Sequence, residues 1–250
     1  MDSSRLYCAS IILFISGFVF PEIVASIGIN YGQIANNLPY AGRCCSPCSV
    51  DWCHQNKAEA WVKTNVQAYL PATKIICITV GNEVLTFNDT SLSDNLLPAM
   101  QNVHTAVVNL GLDKQVTVTT AHSLAVLETS YPPSAGAFRR DLTGCLTQIL
   151  NFHVKTGSPF LINAYPFFAY KASPKQVPID FVLFQPNSGV VDPVSNLHYD
   201  NMLFAQIDAV HSALASLGYK KLPVHISETG WPSKGRRRRS RGYSGEREEV

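Results

Sequence analysis

Ile75-Ile76-Cys77-Ile78-Thr79-Val80-Gly81-Asn82-Glu83 is an apolar, β-branched run that stops abruptly at a glycine, an amide and a carboxylate. Leu222-Pro223-Val224-His225-Ile226-Ser227-Glu228-Thr229-Gly230-Trp231-Pro232 repeats the design. Short runs of this kind read as strands. Working outward, Ser26–Tyr31, Val116–Thr120 and Phe160–Tyr165 are further strand candidates, with Phe181–Phe184 as a short extra. Between them lie helical segments at Lys57–Leu70, Leu92–Leu110, Asp141–Thr156 and Asp200–Leu217, stopped by Pro71, Gly111, Gly157 and Gly218 respectively. Proline cannot continue a helix, and glycine accepts the left-handed turn that ends one. The last helix carries its stripe at Leu203, Ile207, Val210, Leu214 and Leu217. Strand and helix in alternation predict an α/β fold of parallel strands joined by helical crossovers, and 250 residues suit one (β/α)8 TIM barrel. Five main strands fall short of the eight that closure needs, so an incomplete barrel is expected.

Charge and composition exclude several classes. Residues 26–234 hold 13 basic and 13 acidic side chains, which leaves no basic excess for nucleic acid. The net charge of +2 comes from the tail, 235–250, where six arginines face three glutamates and apolar residues are scarce, so a disordered basic tail is expected. At the other end, Arg5 precedes an apolar stretch from Leu6 to Phe20, and Ala25 offers a small residue for cleavage. Residues 1–25 therefore read as a secretory signal peptide, followed by a secreted chain with no transmembrane segment. Secretion makes Asn88-Asp89-Thr90 an N-glycosylation acceptor at Asn88. Cys44, Cys45, Cys48 and Cys53 crowd into a turn-rich insert, 40–56. Their spacing lacks paired zinc knuckles, and local disulfides or an aberrant segment remain open readings; no metal is expected.

In a barrel the carboxyl ends of all strands open on one face, which brings Glu83 and Glu228 to one cleft. A carboxyl pair there suits glycoside hydrolysis: one protonates the leaving oxygen while the other attacks or stabilises the anomeric centre. Asn82 offers a donor to the sugar 2-hydroxyl, and Tyr31, Tyr165, Phe168 and Trp231 offer flat faces to sugar rings. His122 is expected to be an ordinary structural histidine with its hydrogen bonds made.

Four ordered motifs, Ile27-Gly-Ile-Asn-Tyr-Gly32, Thr79-Val-Gly-Asn-Glu-Val84, Asn163-Ala-Tyr-Pro-Phe-Phe168 and Ile226-Ser-Glu-Thr-Gly-Trp-Pro-Ser233, resemble those of plant endo-1,3-β-glucanases, glycoside hydrolase family 17. The resemblance covers 26–39 and 57–234. It implies a (β/α)8 barrel, a retaining mechanism and a β-1,3-glucan substrate, callose or fungal wall glucan, with no cofactor. It also implies Glu83 as acid/base and Glu228 as nucleophile, with Asn82, Asn163, Tyr31, Tyr165, Phe168 and Trp231 around the substrate, in a monomer secreted to the cell wall. Related members can be anchored through a C-terminal signal that has no counterpart here.

Strands two, three and eight of that barrel also have no counterpart in the sequence. In a flat sheet, three strand spacings of about 4.8 Å set the ends of the strands bearing the two glutamates about 14 Å apart, whereas a retaining pair needs about 5–5.5 Å. Two expectations follow: an active retaining endo-glucanase, or a truncated, inactive glucan-binding or non-functional form whose open sheet holds the carboxylates apart.

Overall fold

The computed structural model describes residues 10–15, 27–32, 55–70, 72–87 and 90–232. In chain order the elements are β1 (Ser10–Ile15), β2 (Ile27–Gly32), α1 (Gln55–Asn65), β3 (Cys77–Asn82), α2 (Thr90–Asn109), β4 (Thr117–Ser123), β5 (Leu127–Thr129) and β6 (Ala137–Phe138). They continue with α3 (Thr143–Thr156), β7 (Phe160–Asn163), α4 (Pro166–Ala172), α5 (Ile179–Val182), β8 (Val190–Val191), β9 (His198–Tyr199), α6 (Met202–Ser216) and β10 (Val224–Glu228). Most of the insert, the residues around Asn88, and the tail lie outside the described residues, while Gln55 and Asn56 already belong to α1.

The sheet that organises the molecule has four parallel strands in the order β10-β7-β4-β3. Successive neighbours joined by helices are the signature of a barrel wall, and the expected open α/β sheet is what the described residues form. Its outer face packs on α1, α2, α3 and α6 through Ile78, Val80, Val118, Phe160 and Ile162, which meet Val62, Met100, Val103, Leu146, Ile149, Val210 and Leu214. Each such aliphatic side chain removed from water contributes about 1.5–3 kcal/mol before entropy is subtracted. Ala121 and Leu161 form a separate small cluster, as side chains alternating to the opposite face require. The helix stops at Gly111, Gly157 and Gly218 take positive φ, as expected, and Asn201 caps α6 by accepting from the Phe204 amide.

Two expectations change. Phe181–Phe184 is not a strand: Ile179–Val182 is a single helical turn, closed by the Leu183 amide donating to the Ile179 carbonyl, and Phe184 at φ 60° ends it. His122 is buried and stacks on Phe160 at 4.7 Å, yet neither ring nitrogen finds a partner, because packing between sheet and helices, not hydrogen bonding, holds the ring. The first strand of the motif series is β2. It pairs antiparallel with β1, which lies within the segment read as a leader, from Ser10 opposite Gly32 to Ile15 opposite Ile27.

A second anchor lies outside the sheet. Asp192 is 1% exposed and accepts from the amides of Ser134, Val194 and Ser195 and from the Ser134 hydroxyl. Burial pushes its carboxyl upward, but those donors outweigh burial and hold it well below the usual carboxylate range. The β8–β9 hairpin is thereby tied to the turn before β6.

Candidate active site

Both strands bearing the candidate carboxylates break register at their carboxyl ends, β3 between Thr79 and Asn82 and β10 between Ile226 and Glu228. A bulge adds a residue and re-aims the side chains beyond it. In β3 the bulge is possible because Gly81 sits at φ 73°, where an added Cβ would stand 2.7 Å from Val84 Cγ2. Glu83 itself is left-handed, at φ 55° and ψ 23°, a conformation that a non-glycine residue keeps only when its surroundings over-determine it. They do. Its amide donates to the Ala121 carbonyl at 2.8 Å, and its carbonyl accepts from the Thr86 amide at 3.0 Å and hydroxyl at 2.8 Å.

The side chains then converge. Asn163, at the end of β7, donates through Nδ2 to Glu83 Oε1 at 2.9 Å and to Asn82 Oδ1 at 3.0 Å. Its Oδ1 accepts from the Ser227 hydroxyl at 2.6 Å. Tyr165 donates to Glu228 Oε2 at 2.9 Å. Burial first, then this bond, the charge of Glu228 and the charge of Glu83 push the Tyr165 phenol up to about 12. One hydroxyl thus feels both carboxylates. Asn163 reaches Asn82 and Glu83 across β4, where Ser123 stands opposite Asn163 and the small, fully buried Ala121 opposite Asn82. Two strand spacings of about 4.8 Å separate the backbones of β7 and β3, and the Asn163 and Glu83 side chains bridge that gap.

Aromatic rings flank the carboxylates. Tyr165 meets Phe168 at 5.4 Å, Phe168 meets Phe167 at 5.5 Å, and Trp231 packs edge-on against Phe167 at 4.8 Å and beside Tyr170 at 5.9 Å. Phe168 remains 58% exposed and Trp231 37%, so faces are open to a ligand. Of the sequence candidates, Asn82, Asn163 and Glu83 form one hydrogen-bonded group and Tyr165 and Glu228 a second beside it, with Phe168 and Trp231 flanking. Tyr31 lies on β2 opposite Ile11 of β1, and its side chain lies outside the described residues. Sequence reasoning passed over Ser227, Thr86, Phe167 and Tyr170. The last two were detectable as a Phe-x-x-Tyr step on one helix turn; Ser227 and Thr86 carried no signal beyond adjacency. Among the described residues no group of three His, Cys, Asp or Glu side chains is placed to hold a metal ion.

Two strand-end carboxylates over a parallel sheet, beside open aromatic faces, are the layout of a carbohydrate-active α/β barrel. The profile of glycosyl hydrolases family 17 matches residues 49–245, and the chain belongs to that family. Among curated relatives, it is 54% identical to glucan endo-1,3-beta-glucosidase 10 of Arabidopsis thaliana, with 94% of this chain aligned to 64% of that protein. It is 52% identical to glucan endo-1,3-beta-glucosidase 11 of the same plant, over 93% of this chain and 62% of that one. The chain therefore spans under two thirds of the length of these relatives. The first match runs over 273 positions, more than the 250 residues of this chain, so the relative carries residues within the matched span that this chain does not. Among solved structures, CJP38, a beta-1,3-glucanase and allergen of Cryptomeria japonica pollen, superposes with a TM-score of 0.72 at 39% identity, covering 75% of this chain and 58% of that one. A structure from a study of two plant beta-glucan endohydrolases with distinct substrate specificities gives 0.68 at 34% identity, covering 75% and 59%.

Proposed function

We propose that this chain hydrolyses internal 1,3-β-D-glucosidic linkages of cell-wall β-glucan with retention of configuration. Glu83 protonates the leaving glycosidic oxygen and later deprotonates the attacking water, while Glu228 attacks the anomeric carbon to form a glycosyl-enzyme. The observation that carries this reading is the convergence at Tyr165, whose hydroxyl is bonded to Glu228 and lies within the field of Glu83. Asn82 accepts from Asn163 through Oδ1, which leaves its own amide hydrogens to donate to the sugar 2-hydroxyl, a contact that strengthens as positive charge develops at the anomeric carbon. Phe168 and Trp231 offer faces on which glucosyl rings stack. No described helix is long and apolar enough to cross a membrane, and the leader-like segment 1–25 supports an encounter with substrate outside the cell.

Incubation with laminarin tests the reading: reducing ends are expected to accumulate, with the β-anomer formed first in the proton NMR spectrum. Initial formation of the α-anomer, or no release at all, would overturn it. Tyr165→Phe removes the hydroxyl that accompanies Glu228 through the reaction. A hydrogen bond to a charged group is worth about 1.5–3 kcal/mol, so kcat is expected to fall about 10- to 100-fold with a smaller change in KM, measured by reducing-sugar release.

A further inference from the structure

The side-chain amide of Asn163 is 2% exposed and fully committed. One Nδ2 hydrogen points to Glu83 Oε1, the other to Asn82 Oδ1, and Oδ1 is held by Ser227 at 2.6 Å. Ser227 lies on β10 immediately before Glu228, at the register break, whereas Glu83 lies two strands beyond β7. A hydroxyl on the strand of one carboxylate is therefore linked, through a single amide, to the other.

We propose that Ser227 is a positioning residue that fixes which oxygen of Glu83 carries the transferable proton. The proposal rests on the assignment of Glu83 as acid/base. A carboxyl group holding a proton has one oxygen that donates and one that accepts. An amide hydrogen aimed at Oε1 disfavours a proton there, because the proton competes for the same oxygen and leaves it a weaker acceptor. The proton is favoured on Oε2, the oxygen left for the glycosidic bond. The same amide orientation requires Asn82 to present Oδ1 to Asn163 and its NH2 group elsewhere. Ser227 stabilises this arrangement by satisfying Asn163 Oδ1. Without that hydroxyl the oxygen is buried and unpartnered, and the amide turns to find another donor, Glu83 among them. A protonated Glu83 that donates to Asn163 no longer donates to the leaving group.

Ser227→Ala and Ser227→Thr, assayed on laminarin across pH, provide the kinetic test. The alanine variant is expected to lose about tenfold in kcat with KM nearly unchanged, and the high-pH limb of kcat/KM is expected to move upward as the amide donor to the carboxylate is lost. Threonine, which keeps the hydroxyl, is expected to restore both. An alanine variant with unchanged kcat and an unmoved limb overturns the proposal, as does a threonine variant no better than alanine. A second measurement needs no turnover. The Asn163 side-chain amide resonances, followed by 1H–15N NMR, are expected to shift strongly on Glu83→Gln when Ser227 is present, because an Nδ2 hydrogen loses its carboxylate acceptor, and by much less in the Ser227→Ala background, where Nδ2 no longer faces Glu83. Equal shifts in both backgrounds overturn the proposal. A wild-type chain that fails to cleave laminarin would instead overturn the assigned activity, with the role of Ser227 decided by the resonances.

Discussion

Glu228→Ala and Glu83→Ala are each expected to lose at least about a thousandfold in laminarin hydrolysis, and azide is expected to rescue them with products of opposite configuration. With Glu228 shortened, the face of the sugar it occupied is open, and Glu83 still protonates the leaving group. Azide attacks the anomeric carbon directly, the glycosidic bond breaks, and the α-glycosyl azide forms in one inversion. With Glu83 shortened, a substrate bearing a good leaving group such as 2,4-dinitrophenolate needs no acid, so the glycosyl-enzyme on Glu228 forms and persists. Azide then displaces the carboxylate, needs no general base, and gives the β-glycosyl azide after two inversions. The anomeric proton coupling of each product identifies it. The same anomer from both variants would remove the distinction between nucleophile and acid/base, and no rescue of either would remove both roles.

The largest effect on stability is expected from acid, and it originates in two buried histidines. Burial, and then the neighbouring His153, pull the His122 imidazole down to about 3, and burial alone pulls His153 down to about 4. Their surroundings accept only neutral rings: His122 has no partner on either nitrogen, and His153 has only Thr119 on Nε2 at 3.3 Å. In the unfolded chain both titrate near 6.5. The folded state thus binds fewer protons, its advantage is complete above the unfolded value, and stability declines as pH falls through 6.5 toward the folded values. By pH 4 the loss is on the order of 3 kcal/mol for each histidine, which together is a large fraction of a typical 5–15 kcal/mol. Asp192 adds to the effect only below the ordinary carboxylate range. Urea unfolding at pH 7 and pH 4.5 is expected to show a marked drop in midpoint, and His122→Phe, which keeps a ring against Phe160, is expected to remove roughly half of it. A wild-type midpoint independent of pH over that window would contradict the account.

Much of this was legible in the residues. Runs such as Ile75–Val80 and Val116–Thr120 announce strands because β-branching and turn signals at their ends act locally, and Glu83 and Glu228 stand out because a carboxylate ending an apolar strand is out of place unless used. What was not legible depends on the relation between strands. Register breaks at Gly81 and Ser227 exist only with respect to β4 and β7, so no window of sequence reveals that Asn163 reaches across β4 to Glu83. Phe181–Phe184 misled because a short apolar run fits a helical turn as well as a strand, and tertiary packing decided. His122 was misjudged because periodicity reports burial and is silent about hydrogen bonds.

The aromatic clasp carries a consequence for how this scaffold can change. Tyr165, the partner of Glu228, is followed directly by α4, whose Phe167 and Tyr170 grip Trp231, three residues beyond Glu228. The exposed aromatic surface and the hydroxyl bonded to Glu228 are thus one mechanical part. Exchanging the segment after β7 to suit another glycan would move the phenol together with the rings, so new specificity in this lineage has to be acquired in paired steps, with compensating changes in the segment that follows β10.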